Sequence, residues 1–154
     1  MKNFVFIIAL AFLSATAFSQ KVNFSGDWKL NESKSELGYE FSLAPKAMKL
    51  EHTKKTLDLT RVLEFDGQEI EDKQHFTLDG EVSENVGFAE SVTKSTASFD
   101  KKAATLKIVT NGSVEGMDYT ITQVMSMKED NLVVELEAAS DMGEMVETHV
   151  FDKE

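Results

Sequence analysis

Apolar and polar residues alternate with a strict period of two from Val22 to Asn31. Val22, Phe24, Gly26, Trp28 and Leu30 share one face of an extended chain, and Asn23, Ser25, Asp27, Lys29 and Asn31 share the other, which predicts a half-buried strand. The alternation lapses between Asn31 and Pro45. There Ser33-Lys34-Ser35-Glu36 has the form of a capping box and Gly38 follows as a stop, so at most a turn or so of helix fits. From Lys46 onward, short alternating segments are separated by turn signals at roughly ten-residue spacing, which predicts a meander of about ten antiparallel strands in a sandwich or barrel.

The turns test that pattern. Lys54-Lys55, Asp66-Gly67, Lys101-Lys102, Asn111-Gly112, Glu129 to Asn131 and Met142-Gly143 are the predicted tips. A two-residue Asp66-Gly67 loop sets Phe65 across from Gln68, Leu63 from Ile70, Arg61 from Asp72, Leu59 from Gln74 and Leu57 from Phe76. Lys54-Lys55 sets Leu50 across from Leu59, His52 from Leu57 and Met48 from Arg61. Met142-Gly143 sets His149 across from Leu136 and Phe151 from Val134, and Asn111-Gly112 sets Leu106 across from Met117. The same inner face propagates through each pair. A two-residue Asp79-Gly80 loop breaks the rule: it would turn Glu81, Ser83 and Asn85 inward and Val82, Val86 and Phe88 outward, so a longer loop or a bulge is expected there.

The inner face so defined is mostly Leu, Ile, Val, Phe and Met, including Phe65, Met117, Met125, Met127 and Met145. Unbranched Met side chains adapt to irregular apolar shapes and suit a lipid-like or aromatic guest, although the same side chains can equally fill a small barrel. Burying an unpaired charge costs several kcal/mol, so the polar residues on that face carry more information. Arg61 and Asp72 face inward as an opposed pair, with Gln74, Tyr119, Gln123, Glu147 and His149 on the same face. Arg61, Asp72, Gln74, Tyr119, Gln123, His149 and Phe151 are therefore the candidate ligand-binding residues, the polar ones fixing a head group; the competing reading is an internal ion pair with bridging water. His75 falls on the outer face opposite Asp58, while His52 and His149 face inward from strands distant in sequence. Zinc sites use tighter His spacing, so no metal is expected. Neither a Gly-rich phosphate loop nor a triad-like spacing of Ser, His and Asp is present, and no cofactor or catalytic activity is expected.

Lys2, the apolar run Phe4 to Leu13 and the small residues ending at Ala17-Phe18-Ser19 read as a signal peptide over residues 1–19, cut after Ser19, with one domain over 20–154. The run is short of the ~20 residues of a membrane span. The expected location is the periplasm or the extracellular medium. Without Cys there is no disulfide, thiolate metal site or lipid-anchored N-terminal Cys. Cleavage leaves 15 basic against 27 acidic residues, a net charge of −12, which repels phosphate backbones and argues against nucleic acid as a partner. The chain is expected to be a monomer.

Phe24-Ser25-Gly26-Asp27-Trp28-Lys29-Leu30, with its Gly-x-Trp core, resembles the opening strand of the calycins, which include lipocalins and fatty-acid-binding proteins. That resemblance implies a single up-and-down β-barrel closed by its first and last strands, with Gly26 and Trp28 as a structural plug at one end. Thr148-His149-Val150-Phe151-Asp152-Lys153 is similar to the closing strand of fatty-acid-binding proteins, whose Thr-Arg-x-Tyr segment holds a ligand carboxylate; His149 stands in the Arg place and Phe151 in the Tyr place. Those proteins carry a two-helix lid after the first strand. Fifteen residues from Asn31 to Pro45 are too few for it, so a more open mouth or a plain loop is expected. The implied function is non-catalytic binding of a small hydrophobic or amphiphilic molecule. The alternatives are a filled barrel acting through its acidic surface, for example as an inhibitor, and a haem enzyme resembling nitrobindins with His149 as axial ligand, although Leu30 and Glu32 replace the extra glycines of that opening. Export is checked by intact mass: protein recovered from its own secretory route is expected to lack residues 1–19 and begin at Gln20, and a mass that retains them contradicts the cleavage.

Overall fold

The computed structural model describes residues 22–39, 41–87 and 90–154; the expected signal peptide and its cut site lie outside them, as does Phe88. Ten antiparallel strands follow one another: β1 (Gly26–Leu30), β2 (Ala47–His52), β3 (Thr56–Phe65), β4 (Gln68–Thr77), β5 (Asp79–Val86), β6 (Val92–Asp100), β7 (Thr105–Val114), β8 (Met117–Lys128), β9 (Asn131–Ser140) and β10 (Gly143–Lys153). They form one sheet in the order β4-β3-β2-β1-β10-β9-β8-β7-β6-β5. The barrel closes where β1 pairs with both β2 and β10, through Trp28 opposite Met48 and Leu30 opposite Phe151. It is all-β, as the alternation predicts. A 3-10 turn, Glu32–Lys34, follows β1. That turn is capped by Asn31, whose side chain accepts from the Lys34 N–H, and not by the predicted Ser33 capping box. Among the described residues no helix is long and apolar enough to cross a membrane.

Because consecutive hairpin tips alternate between the ends of an antiparallel barrel, the two ends differ. At the closed end Phe24, Trp28, Leu50, Leu57, Phe76, Leu106, Met125 and Phe151 are buried in one cluster. Trp28 anchors it: its indole N–H donates to the Phe24 carbonyl at 2.9 Å, and the Lys153 ammonium lies 5.8 Å from its ring centre. Beside it, Gly26 adopts φ +146°, a conformation L side chains rarely take, and a Cβ there would meet the Lys153 stem at 3.2 Å.

Two predicted tips sit elsewhere. β7 runs straight through Asn111-Gly112, and the turn is Glu115-Gly116, so Leu106 opposes Met125 and Val114 opposes Met117. Gly112 is instead a place where a neighbouring ring needs room: a Cβ there would sit 2.3 Å from the hydroxyl of Tyr119, directly opposite on β8. The last tip is Asp141-Met142, which sets His149 opposite Val134 and Phe151 opposite Leu132. Near Asp79 the expected bulge is present, as a register shift between Asp79 and Val82 in the pairing with β6. It does not bring the valines in. Val82 and Val86 are exposed and Ser83 is buried, because the register with β6 beyond the bulge sets Ser83 opposite buried Ser95 and Val86 opposite exposed Val92. Side chains bridge that seam: Asn85 accepts the His75 N–H at 2.7 Å and donates to the His75 carbonyl at 3.0 Å, and Ser83 accepts the Thr77 N–H at 3.1 Å. An amide and a hydroxyl thereby satisfy backbone groups that a ladder would have paired.

Trp28→Ala is expected to cost about 3–5 kcal/mol, as for a large aromatic removed from a closed core, read as a fall in the midpoint of chemical denaturation. A loss under about 1 kcal/mol would show that the closed end does not depend on it.

Candidate functional site

Towards the open end the inner wall changes character. Thr93 and Ser95 on β6, Thr110 and Gly112 on β7, Ala138 and Ser140 on β9 and Gly143 on β10 are all small, whereas the same faces lower down carry Leu106, Ile108, Met125, Leu132 and Phe151. These side chains take up less of the interior than the large ones of the closed end. Several inward-pointing side chains of the upper half keep partial solvent exposure, among them Leu63, Tyr119 and Ile121. Phe65 and Met117, assigned to the lining by parity, lie at the rim and are exposed, together with Ile70 and Met142.

Arg61 on β3 and Asp72 on β4 are directly opposed, as the Asp66-Gly67 register predicts. The Arg61 Nε donates to Asp72 Oδ2 at 2.9 Å and a terminal guanidinium nitrogen donates to the same oxygen, with both side chains 16–18% exposed. The second carboxylate oxygen and the rest of the fork remain for other partners. Gln74, opposite Leu59, is half-buried on the same face. Tyr119 lies near the mouth across Gly112, and Gln123 is buried between Ile108 and Leu136. His149 and Phe151 are buried on β10, their rings edge-to-face with centroids 6.3 Å apart. The structure thus brings Arg61 to Asp72 and His149 to Phe151; in the sheet order β2 and β1 stand between the two groups. His75 is on the outer surface 2.7 Å from Asp58, as the sequence places it.

Glu147 holds a second polar group together. Its side chain is fully buried, accepting the Gly38 N–H at 2.7 Å and the Leu43 N–H at 3.0 Å, and His149 Nε2 lies 2.8 Å from it. Gly38 and Leu43 belong to the connection from β1 to β2, which runs along β10 through paired backbone bonds between Glu36 and Thr148 and returns to the sheet where Lys46 bonds to Leu30 and Val62. The connection is a strap, and Glu147 fastens both sides of its bend. Gly38 is required there, since a Cβ would lie 2.1 Å from the Phe41 carbonyl oxygen. The inward direction of Glu147 is legible from its spacing with His149; its backbone partners are not, because they come from a segment without periodicity.

Burial alone would raise the Glu147 pKa, but the Gly38 N–H, the His149 side chain, the Ser42 hydroxyl and the Leu43 N–H outweigh it and hold the carboxyl below the ordinary Glu range. A depressed folded-state pKa gives stability that is present above the unfolded value and lost as pH falls through the folded one. Amide exchange at Gly38 and Leu43, corrected for its intrinsic rate, is therefore expected to lose protection as pH drops below the ordinary Glu range, and Glu147→Gln is expected to weaken that dependence. Unchanged acid dependence in the variant would contradict the role of the carboxylate.

No protein-family model and no curated protein sequence matches the chain. Among solved structures it is similar to the zebrafish ileal bile acid-binding protein complexed with cholic acid, at a TM-score of 0.57 and 15% identity, over 85% of this chain and 98% of that one. At that identity the likeness concerns the fold. The ten-strand meander and its closure through β1 and β10 share that protein's fold, an antiparallel up-and-down β-barrel.

Proposed function

We propose that the chain is a binding protein that holds a small hydrophobic or amphiphilic molecule in the open half of the barrel, without catalysis and outside the cytoplasm. The observation that carries this reading is the division of the interior: a packed apolar closed end, and above it a wall of small residues with half-exposed Leu63, Ile121, Tyr119, Arg61 and Asp72. Such a wall can cover a tail with apolar surface while a few polar groups orient the head. Leu63, Ile121 and Met145 would contact the tail. The Arg61–Asp72 pair, Gln74 and Tyr119 would meet the head, offering both donors and acceptors. Gln123, His149 and Phe151, more deeply buried, would form the floor. The solved structure of similar fold is itself a bile acid-binding protein, which supports a container over an enzyme. Location outside the cytoplasm rests on the signal-peptide pattern of residues 1–19.

Affinity in such a site comes mainly from buried apolar area, at ~25 cal/mol per Å² before the costs of association. The test is saturable one-to-one binding of the neutral dye Nile red, with Ala138→Trp as the blocking variant, since Ala138 faces inward between Ile121 and Met145. The large ring is expected to lower affinity about tenfold or more, consistent with ~1.4 kcal/mol per decade, while the protein stays folded by circular dichroism. Undiminished binding by a folded variant would place the dye outside the barrel.

A further inference from the structure

The permanent charges facing the interior do not favour an acid. Arg61 is committed to Asp72, and the fully buried carboxylate of Glu147 is met by backbone N–H groups and His149, with no Lys or Arg at it among the described contacts. The inner faces of the strands thus carry one guanidinium against two carboxylates.

The entrance independently has the same sign. Alternation of hairpin tips puts the β3–β4, β5–β6, β7–β8 and β9–β10 turns at the open end; the turns carry Asp66, Glu90, Glu115 and Asp141, and the strand ends beside them Glu69 and Asp118, all exposed. No Lys or Arg occurs in any of those four turns; Lys46, at the end of the strap, is already paired with Glu64. The opposite end has Lys54-Lys55 and Lys101-Lys102 at two of its tips and Glu129-Asp130 at a third, so its tips are mixed in charge where those of the open end are acidic. Between the acids the rim exposes Phe65, Ile70, Met117 and Met142, and Tyr119 presents a ring on the inner wall beside Gly112. Apolar surface for a tail, an aromatic face and a surplus of carboxylates complement a cation.

We propose that this barrel takes amphiphiles with a positively charged head group, such as an alkyl amine or a quaternary ammonium, and disfavours the corresponding acids. The inference rests on the container reading above and specifies its ligand class. An acidic rim of this kind concentrates cations at the mouth and repels anions, an effect that salt screens over about 10 Å at 0.1 M. Inside, the Glu147 carboxylate is the charge a cation entering under the strap would approach.

The experiment is displacement of Nile red by dodecyltrimethylammonium, dodecanol and dodecanoate, which share one alkyl chain, each kept below its micellar concentration. The ammonium is expected to bind about tenfold or more tighter than the carboxylate, with dodecanol between them, and added salt is expected to weaken the ammonium but not dodecanol. Combined Asp66→Asn, Glu69→Gln and Glu115→Gln, all exposed at or beside the turns, should reduce the preference and leave dodecanol unchanged; Glu147→Gln should reduce it further. Carboxylate binding equal to or tighter than ammonium binding overturns the proposal while leaving the container standing. Failure of Nile red and all three amphiphiles to bind sinks the container and this inference with it.

Discussion

The Glu147 carboxylate is the interaction on which the open half of the barrel depends. A charge buried in an apolar wall is costly, and this one is tolerable because backbone N–H groups from both sides of the strap bend, with His149, surround it. The dependence is mutual. The strap has little apolar surface to bury, with Tyr39 and Phe41 both turned to solvent, so without the carboxylate its bend would have few tertiary bonds. The strap and the carboxylate that holds it are therefore one structural unit, built from residues about a hundred positions apart.

That unit sits on a rigid base. The closed end is packed around Trp28, whose ring is sandwiched between the apolar core and the Lys153 stem, and whose N–H is satisfied within the same segment by the Phe24 carbonyl. Pairing of β1 with both β2 and β10 converts the meander into a closed wall at this point. Asp152 reinforces the junction by accepting from Asn31, Lys34 and Asn131, which ties the start of the strap to the last strand and to the β8–β9 turn. A packed end and a strapped end thus divide the labour of stability and access within one sheet.

The seam between β4 and β5 is the complementary weak point. Edge strands invite pairing with other chains. Here Asn85 occupies the backbone groups of His75 and Ser83 meets Thr77, while exposed charged residues such as Glu71 and Lys73 cover the outer face of β4. The edges are thereby guarded without a ladder, which keeps the barrel from closing fully.

The strand content, the inward face of every strand but β5, the Arg61–Asp72 opposition and the outward His75 were all determined by the sequence itself, because side chains in a strand alternate with period two and the Asp66-Gly67 turn fixes register locally. The same periodicity explains why misplaced turns did little harm. Moving the partner of Leu106 from Met117 to Met125, or that of His149 from Leu136 to Val134, shifts the register by an even number of residues and leaves every face as it was. Depth was decided only in three dimensions: parity makes Phe65 and Met117 inward, and the finite height of the barrel leaves them on the rim. The facing of β5 was decided there too, since the bulged register with β6 turns Ser83 and Asn85 in and Val82 and Val86 out, against the hydrophobic pattern. The capture of the strap by Glu147 and the sharing of Gly112 with Tyr119 likewise join segments whose spacing carries no period, so only the closed barrel brings them together.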